Sequence, residues 1–210
     1  MGAVALIAAL PVTALADDAY VDDDAPTDVP PCTLAQPCQS LQTGIFDADP
    51  GDTAFVDGGH YGPFPFLLSD GRSLIEQDFN PGDGDSEATI DGGPNVAIQV
   101  PTGSSAGTIR GFEIVSQATA VVLQGPATVI GNIFTDPDPN IHVSMEDGSG
   151  VSSITGNTFT DTPGDTDGQI GLSSIGTGSP MIADNEFGNL RISLVETHDR
   201  GSHQRHGGPR

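Results

Sequence analysis

The chain has no lysine and only six arginines against 29 acidic residues, which gives a formal charge of −23 over 210 residues. A surface this acidic repels phosphate backbones, so nucleic acid is excluded as a partner. What remains is cation or polycation binding, or an acidity that only reflects a salt-adapted or GC-rich source. Three of the arginines and three of the five histidines follow Val195, so the body is more acidic still. Cysteine is nearly absent. Cys32 and Cys38 stand alone, and a metal site would need more ligands than these. No window keeps an apolar period of about 3.6 residues between helix caps, and 28 Gly and 17 Pro interrupt the chain at nearly every turn. Helical architectures therefore drop out and an all-β chain is left. Ser-His-Asp sets, phosphate-cradling glycine loops and dinucleotide fingerprints are missing in any strand-turn-helix setting, and the chemistries they serve drop out too.

What the chain does have is repetition. Thr108 to Ile114, Thr128 to Phe134, Ser153 to Phe159 and Met181 to Phe187 carry one phrase: an apolar residue, a variable one, a turn-tolerant one, a polar one and a closing apolar one. Repeats of this kind belong to solenoids, in which each unit is one coil. Asn132, Asn157 and Asn185 then stand one above another, where their amides can hydrogen-bond along the stack, and Phe134, Phe159 and Phe187 stack inside it. The anchors Ile109, Val129, Ile154 and Ile182 are 20, 25 and 28 residues apart, so length varies in the loops. Phe55 to Gly58 and Leu74 to Gln77 extend the column backward, Thr89 to Gly92 adds a strand, and about six coils result. Short β-rich runs at 96–100, 120–123, 141–145, 169–173 and 190–195 make a second face.

Both termini read differently from the body. Residues 1–16 are apolar, end in Ala14-Leu15-Ala16 and are too short to span a bilayer, so they read as a signal peptide cleaved before Asp17. No basic residue leads them, which fits a true start upstream of Met1. In an exported chain Cys32 and Cys38, with five residues between them, form one local disulfide, the alternative being two free thiols. Leu41 and Ile45 lie four apart in a proline-free segment that suits one helix over the mouth of the first coil. Residues 17–195 are read as the solenoid domain with an N-terminal cap at 30–50, and 196–210 as a disordered tail. An uncapped last coil would leave a strand edge through which the chain could form oligomers.

The opening Ala19 to Asp24, then Cys32 to Cys38 with Gln39-Ser40-Leu41-Gln42, then Pro50 to Val56 through His60-Tyr61-Gly62-Pro63, resembles the N-terminal region of secreted bacterial proteins of the pectin-lyase-like superfamily. The Gly-Asn-x-Phe phrases are similar to that superfamily's repeats. The resemblance covers roughly residues 19–195 and implies a right-handed parallel β-helix. It leaves function open, since that superfamily holds lyases, hydrolases, tail spikes and surface proteins without known activity.

Chemistry is sparse. The Asn-Thr-Asp, Asp-Asp, Gly-His-Gly and Arg-Ile-Lys pattern of a polygalacturonase-like hydrolase is missing from the body, and Asp22-Asp23-Asp24 lies ahead of the cap. A lyase needs a base beside the uronate, and the body offers Arg72, Arg110 and Arg191. Arg110 is the best placed: the column turns it outward, one coil above Glu76 and two residues before Glu113, where a surface ion pair is the plainer role. Asp57 is expected outward, and with His60 and Tyr61 it forms a polar and aromatic group suited to a sugar ring, although Tyr61 also suits packing against the cap. His142, between Ile141 and Val143, is expected outward and solvated. Asp83, Asp85 and Glu87 space oxygens as in Ca2+ loops, and Asp165 with Asp167 repeats this in shorter form, though neither completes a ligand set and turn chemistry accounts for most of these residues.

The sequence therefore predicts a secreted, non-catalytic β-helix surface or matrix protein that binds extracellular polysaccharide through Asp57, His60, Tyr61, Glu76, Arg110 and Glu113. The alternatives are a polysaccharide lyase or glycoside hydrolase, and a structural fragment of a longer adhesin-like protein. No cofactor is expected beyond possible Ca2+.

Overall fold

The computed structural model describes residues 17–63, 65–80, 87–136, 141–146, 148–161, 170–175, 179–188 and 192–197. The leader at 1–16, Asp83, Asp85, Asp165, Asp167 and the tail from 198 lie outside the described residues.

The chain opens with β1 (Ala19–Val21) and, after a loop, α1 (Leu41–Asp47). Six coils follow, each of three strands. The first holds β2 (Thr53–Val56), β3 (Gly59–Tyr61) and β4 (Phe66–Leu67), and the second β5 (Ser73–Glu76), β6 (Ala88–Asp91) and β7 (Ile98–Val100). The third holds β8 (Thr108–Arg110), β9 (Glu113–Val115) and β10 (Val121–Leu123), and the fourth β11 (Thr128–Ile130), β12 (Ile133–Asp136) and β13 (Ile141–Met145). The fifth holds β14 (Ser153–Thr155), β15 (Thr158–Asp161) and β16 (Ile170–Ile175), and the sixth β17 (Met181–Ala183), β18 (Glu186–Gly188) and β19 (Ile192–Thr197). All pairings between these strands are parallel. They build a sheet of seven strands, β1-β2-β5-β8-β11-β14-β17, and two sheets of six, β3 to β18 and β4 to β19. The molecule is a right-handed parallel β-helix.

Each repeat phrase therefore spans two strands and the corner between them. In the fourth coil Thr128–Ile130 is the strand of the first sheet, Gly131-Asn132 the bend and Ile133-Phe134 the start of the second sheet. The bend needs a left-handed residue, with φ of 66° at Gly131 and 64° at Gly156, and Asp184 takes the same place at 56°. The next residue is the asparagine. Asn132 is 1% exposed; its Nδ2 donates to Ile109 O at 3.0 Å and its Oδ1 accepts from Phe112 N at 3.1 Å. Asn157 repeats the pattern one coil on and Asn185 one coil further, with 3.0 Å between Asn157 Nδ2 and Asn185 Oδ1. Inside, Phe134, Phe159 and Phe187 stack nearly parallel with centroids 4.8 and 5.0 Å apart. Phe134 and Phe159 are fully buried, which stabilises the fold by about 1.5–3 kcal/mol for each ring.

His142 corrects the alternation argument. It is 3% exposed rather than solvated, and its ring centroid lies 6.1 Å from Phe134 and 5.8 Å from Phe159. It is the second residue of β13, beside a corner where strict two-residue alternation does not hold, and its imidazole body packs against the aromatic stack.

The N-terminal end is closed by a cap. Cys32 and Cys38 are joined by a disulfide, and their segment hydrogen-bonds to the free edge of β1: Tyr20 N donates to Cys32 O and Cys38 N to Tyr20 O, both at 2.9 Å. That pairing covers an edge which would otherwise recruit another strand. Ser40 caps α1, its Oγ accepting from Thr43 N at 3.2 Å. The Asp28 carboxylate accepts from Ser40 N, Ser40 Oγ and Thr43 Oγ1; burial alone would raise its pKa, but these bonds outweigh it and hold the group below the usual range. Leu41, Gly44 and Ile45 are the buried face of the helix. Gly44 is there because any Cβ would strike the Val21 side chain. The cap expected at 30–50 thus also takes in β1. At the other end β19 runs through Thr197, so the tail boundary expected at Val195 falls inside a strand.

Candidate functional site

The register decides which candidates meet. β5 pairs with β8 as Leu74↔Ile109 and Ile75↔Arg110, one residue off the alignment read from the sequence, and β2 pairs with β5 as Phe55↔Ile75 and Val56↔Glu76. A one-residue shift exchanges the faces of a strand. The outward column of the first sheet therefore reads Tyr20, Phe55, Ile75, Arg110, Ile130, Thr155, Ala183, with Asp57 and Glu76 no longer in it.

Asp57 is not outward. It is fully buried at the first corner, where its Oδ1 accepts from Gly58 N and Phe79 N, both at 3.1 Å. Extending the registers past the strand ends puts it at the level of the Asn132 column, which explains why a corner-holding side chain stands there. Tyr61 is 3% exposed and its hydroxyl donates to the carbonyls of Asp57 at 3.1 Å and Gly58 at 3.3 Å. Burial, with the nearby charges of Asp23, Asp22 and Asp57 adding to it, pushes the Tyr61 hydroxyl far above its ordinary pKa, so it stays a donor. These two residues lock a corner rather than face solvent.

Glu76 closes β5 and lies over Gly111 of the next coil, where a Cβ would stand 2.9 Å from the Glu76 Cβ. Its carboxyl is held above the usual range, first by partial burial and then by repulsion from Asp78 and Asp57; Arg110 offsets part of this. Arg110 is exposed. Among the described residues the ion pairs are His60 with Asp91 at 3.9 Å and Arg72 with Asp70 at 2.9 Å, so the surface ion pair expected for Arg110 with Glu76 or Glu113 is not formed. The shifted register sets Arg110 beside Ile75 instead. Glu113 lies around the corner on the second sheet and accepts from Thr89 Oγ1 at 3.4 Å and Thr135 Oγ1 at 3.2 Å, a polar ladder across three coils. Arg72 is tied down as well, its Nε donating to Ala48 O at 2.7 Å.

The residues the sequence reading missed are aromatic. Tyr20 stacks on Phe55 with centroids 5.5 Å apart, and Phe79 meets Tyr20 edge-on at 5.6 Å. All three are half-buried on the outside of the first sheet, and Ile75 and Arg110 continue the same column. The signal was in the sequence: Tyr20 and Phe55 sit at equivalent positions in Ala19-Tyr20-Val21 and Ala54-Phe55-Val56. The second place where groups converge is a cleft of about 710 Å³ between α1 and the first coil, bordered by Asp23, Gln39, Gln42, His60, Tyr61 and Phe66. Among the described residues no three His, Cys, Asp or Glu side chains gather as a metal site, Glu87 included. Nor is any helix among them long and apolar enough to cross a membrane.

No family model, curated protein or solved structure matches this chain.

Proposed function

We propose that this chain is a secreted β-helix protein, akin to the pectin-lyase-like superfamily, that binds extracellular polysaccharide without cleaving it. The observation that carries the reading is the aromatic group Tyr20, Phe55 and Phe79 on the outer face of the first sheet, followed along the axis by Ile75 and by Arg110, a cation that forms no ion pair among the described residues. The exposed parts of these half-buried rings offer apolar surface to the C–H groups of sugars, while Arg110 supplies a polar contact further along the column. A disulfide-closed cap suits an oxidising compartment. Cleavage would require a tuned acid and base around one point, or a base and an electrophile. Of the carboxyls in the first three coils, Asp57 is committed to a corner and Glu113 to a ladder.

The test is retention on immobilised neutral and uronic-acid polysaccharides, with and without Ca2+. Neutral glycans are expected to bind weakly in either buffer. Polyuronates, repelled by a chain of charge −23, are expected to bind only when Ca2+ bridges them. Phe55→Ala is expected to weaken binding about tenfold or more. Binding unchanged in that variant would overturn the reading.

The lyase or hydrolase alternative has one observation in its favour: Glu76, with its raised pKa, stands near Arg110. Release of unsaturated or reducing ends from any polymer, abolished by Arg110→Ala in a folded protein, would establish it.

A further inference from the structure

We infer that the open end of the sixth coil is a self-association surface, and that its occupant is the sixth coil of a second copy of this chain, set end to end about a two-fold axis. The inference does not depend on glycan binding.

The two ends of the solenoid differ. At the first, the disulfide-closed segment covers β1, the outermost strand of the first sheet. At the other, β17, β18 and β19 are the outermost strands of their sheets, and among the described residues no strand lies beyond them. Their backbone is set for one more coil. Met181 N donates to Ser152 O, Ala183 O accepts from Gly156 N and Glu186 N donates to Asn157 O, so these residues face the fifth coil. The residues between them, Ile182 and Phe187, turn their N–H and C=O groups the other way, toward the open end. The asparagine ladder stops at the same place: Phe112 N, Asn132 N and Asn157 N each donate to the Oδ1 of the next asparagine, and among the described residues Asn185 N has no such asparagine ahead of it. The apolar core is open as well. Ile154 and Phe159 are fully buried, whereas Ile182 and Phe187, which stand on them, are only partly covered, and Met181 is 58% exposed. A free row of backbone donors and acceptors around an apolar centre recruits strands.

Charge and symmetry select a second copy. Residues 17–57, the cap and the first strand, hold ten acidic residues and no basic one, whereas 170–197 hold three acidic residues and Arg191. Two chains of charge −23 therefore meet with least repulsion through their last coils. A second copy also brings an identical edge, and an antiparallel match needs only the same row of donors and acceptors on both sides. Because the cap occupies the other end, head-to-tail growth into a filament is blocked, and a closed pair is the form that remains. Size sets the strength. Edge strands of three to six residues, at about 3.3 Å per residue, give the coil sides of about 10–20 Å and a face of about a few hundred Å², less than the roughly 800 Å² per partner of a standard interface. The pair is therefore weak, with a Kd of about micromolar order.

The experiment is sedimentation velocity on the full chain from about 1 to 500 µM, at low and at high salt. A monomer–dimer equilibrium without larger species is expected, tightened about tenfold by salt because screening relieves the repulsion between copies. Ile182→Pro removes a donor that faces only the open end, a place where an edge strand tolerates proline, and is expected to weaken the dimer about tenfold or more. Ile182→Ala loses the same packing but keeps the N–H, so its dimer should weaken clearly less. Spin labels locate the contact without relying on either variant. Labels on Glu186→Cys, at an exposed position of β18, are expected to couple between copies, and labels on Leu34→Cys, at an exposed position of the cap, are expected not to. A monomer at every concentration would overturn the proposal, and hydrogen exchange would then show what the end does instead: slow exchange at Ile182 and Phe187 means that the chain's own remaining residues cover it, fast exchange that it stays bare. Coupling at 34 rather than 186, growth into filaments, or a dimer equally strong in Ile182→Pro and Ile182→Ala would overturn it too.

Discussion

Removing the Asn157 side chain tests what holds the coils in register. Its Oδ1 accepts from Asn132 N at 3.0 Å and Asn132 Nδ2 at 3.1 Å, and its Nδ2 donates to Val129 O at 3.0 Å, Thr155 O at 3.1 Å and Asn185 Oδ1 at 3.0 Å. Asn157→Ala breaks all five contacts at a site where both Asn132 and Asn157 are 1% exposed. Asn132 N then loses its acceptor with no water to replace it, at a cost of about 1–3 kcal/mol, and the net value of the remaining bonds adds about 1 kcal/mol or more. The expected loss is about 3 kcal/mol. Asn185→Ala is the internal comparison: it removes the acceptor of Asn157 N, but Asn185 is only half-buried and water can take its place, so its cost should be clearly smaller. Asn157→Asp refines the test, since a carboxylate keeps the acceptor but turns a second oxygen toward three acceptor oxygens, those of Val129, Thr155 and the Asn185 amide; its stability should recover as the pH falls and the group regains a proton to donate. Urea unfolding followed by circular dichroism measures the totals. Hydrogen exchange should show the opening confined to the coils around Asn157, because a solenoid couples mainly nearest neighbours. If Asn157→Ala costs less than about 1 kcal/mol, or no more than Asn185→Ala, the ladder is a by-product of the fold and the reasoning fails.

Two further outcomes follow from the cap and from the first corner. Reducing the Cys32–Cys38 disulfide, or replacing both residues by serine, is expected to cost about 2 kcal/mol, because the closed loop is short, and to expose β1 first; intact protein that can be alkylated at two thiols without reductant would contradict it. Glu76→Gln is expected to raise the melting temperature at neutral pH but not in acid. A carboxyl whose folded pKa lies above its unfolded value favours the fold only while protonated, so that contribution is complete below the unfolded pKa and disappears as the pH rises through the folded one. A melting difference that does not change with pH would refute this.

The fold was legible because a solenoid writes its physics into the sequence several times. One Gly-Asn pair means little, but the sequence repeats Gly131-Asn132 at Gly156-Asn157 and varies it as Asp184-Asn185, and each of these residues answers to a fixed backbone need: a left-handed bend, then an amide that bonds to the coils on either side. The aromatic stack of Phe134, Phe159 and Phe187 was legible for the same reason. What was less legible is the threefold character of the coil. The phrase reads as one strand with a bend, yet its closing apolar residue already belongs to the second sheet, because a bend of two residues is too short to announce itself in the pattern.

The candidate site was read less well, and the cause is register: the reading set Asp57 beside Glu76 and Glu76 beside Arg110, whereas β2 pairs with β5 as Val56↔Glu76 and β5 with β8 as Ile75↔Arg110, a slip of one residue at each step. Between Ile75 and Ile109 the repeat lapses, so no Gly-Asn pair pins the register, and the hydrophobic pattern permits either Leu74 or Ile75 to face inward. Packing chooses Leu74, which is fully buried opposite Ile109. That choice turns Ile75 outward beside Arg110 and withdraws Glu76 to the corner. The supposed row of charges across the first three coils becomes Tyr20, Phe55, Ile75 and Arg110, three flat or apolar groups leading to one cation. A face of alternating charges would attract ions or a charged polymer; a face of rings and an aliphatic side chain attracts the C–H surface of a neutral one. The same slip that hid the aromatic column therefore also changes which class of glycan the face should prefer, and comparing neutral with uronic polymers in the absence of Ca2+ measures that difference directly.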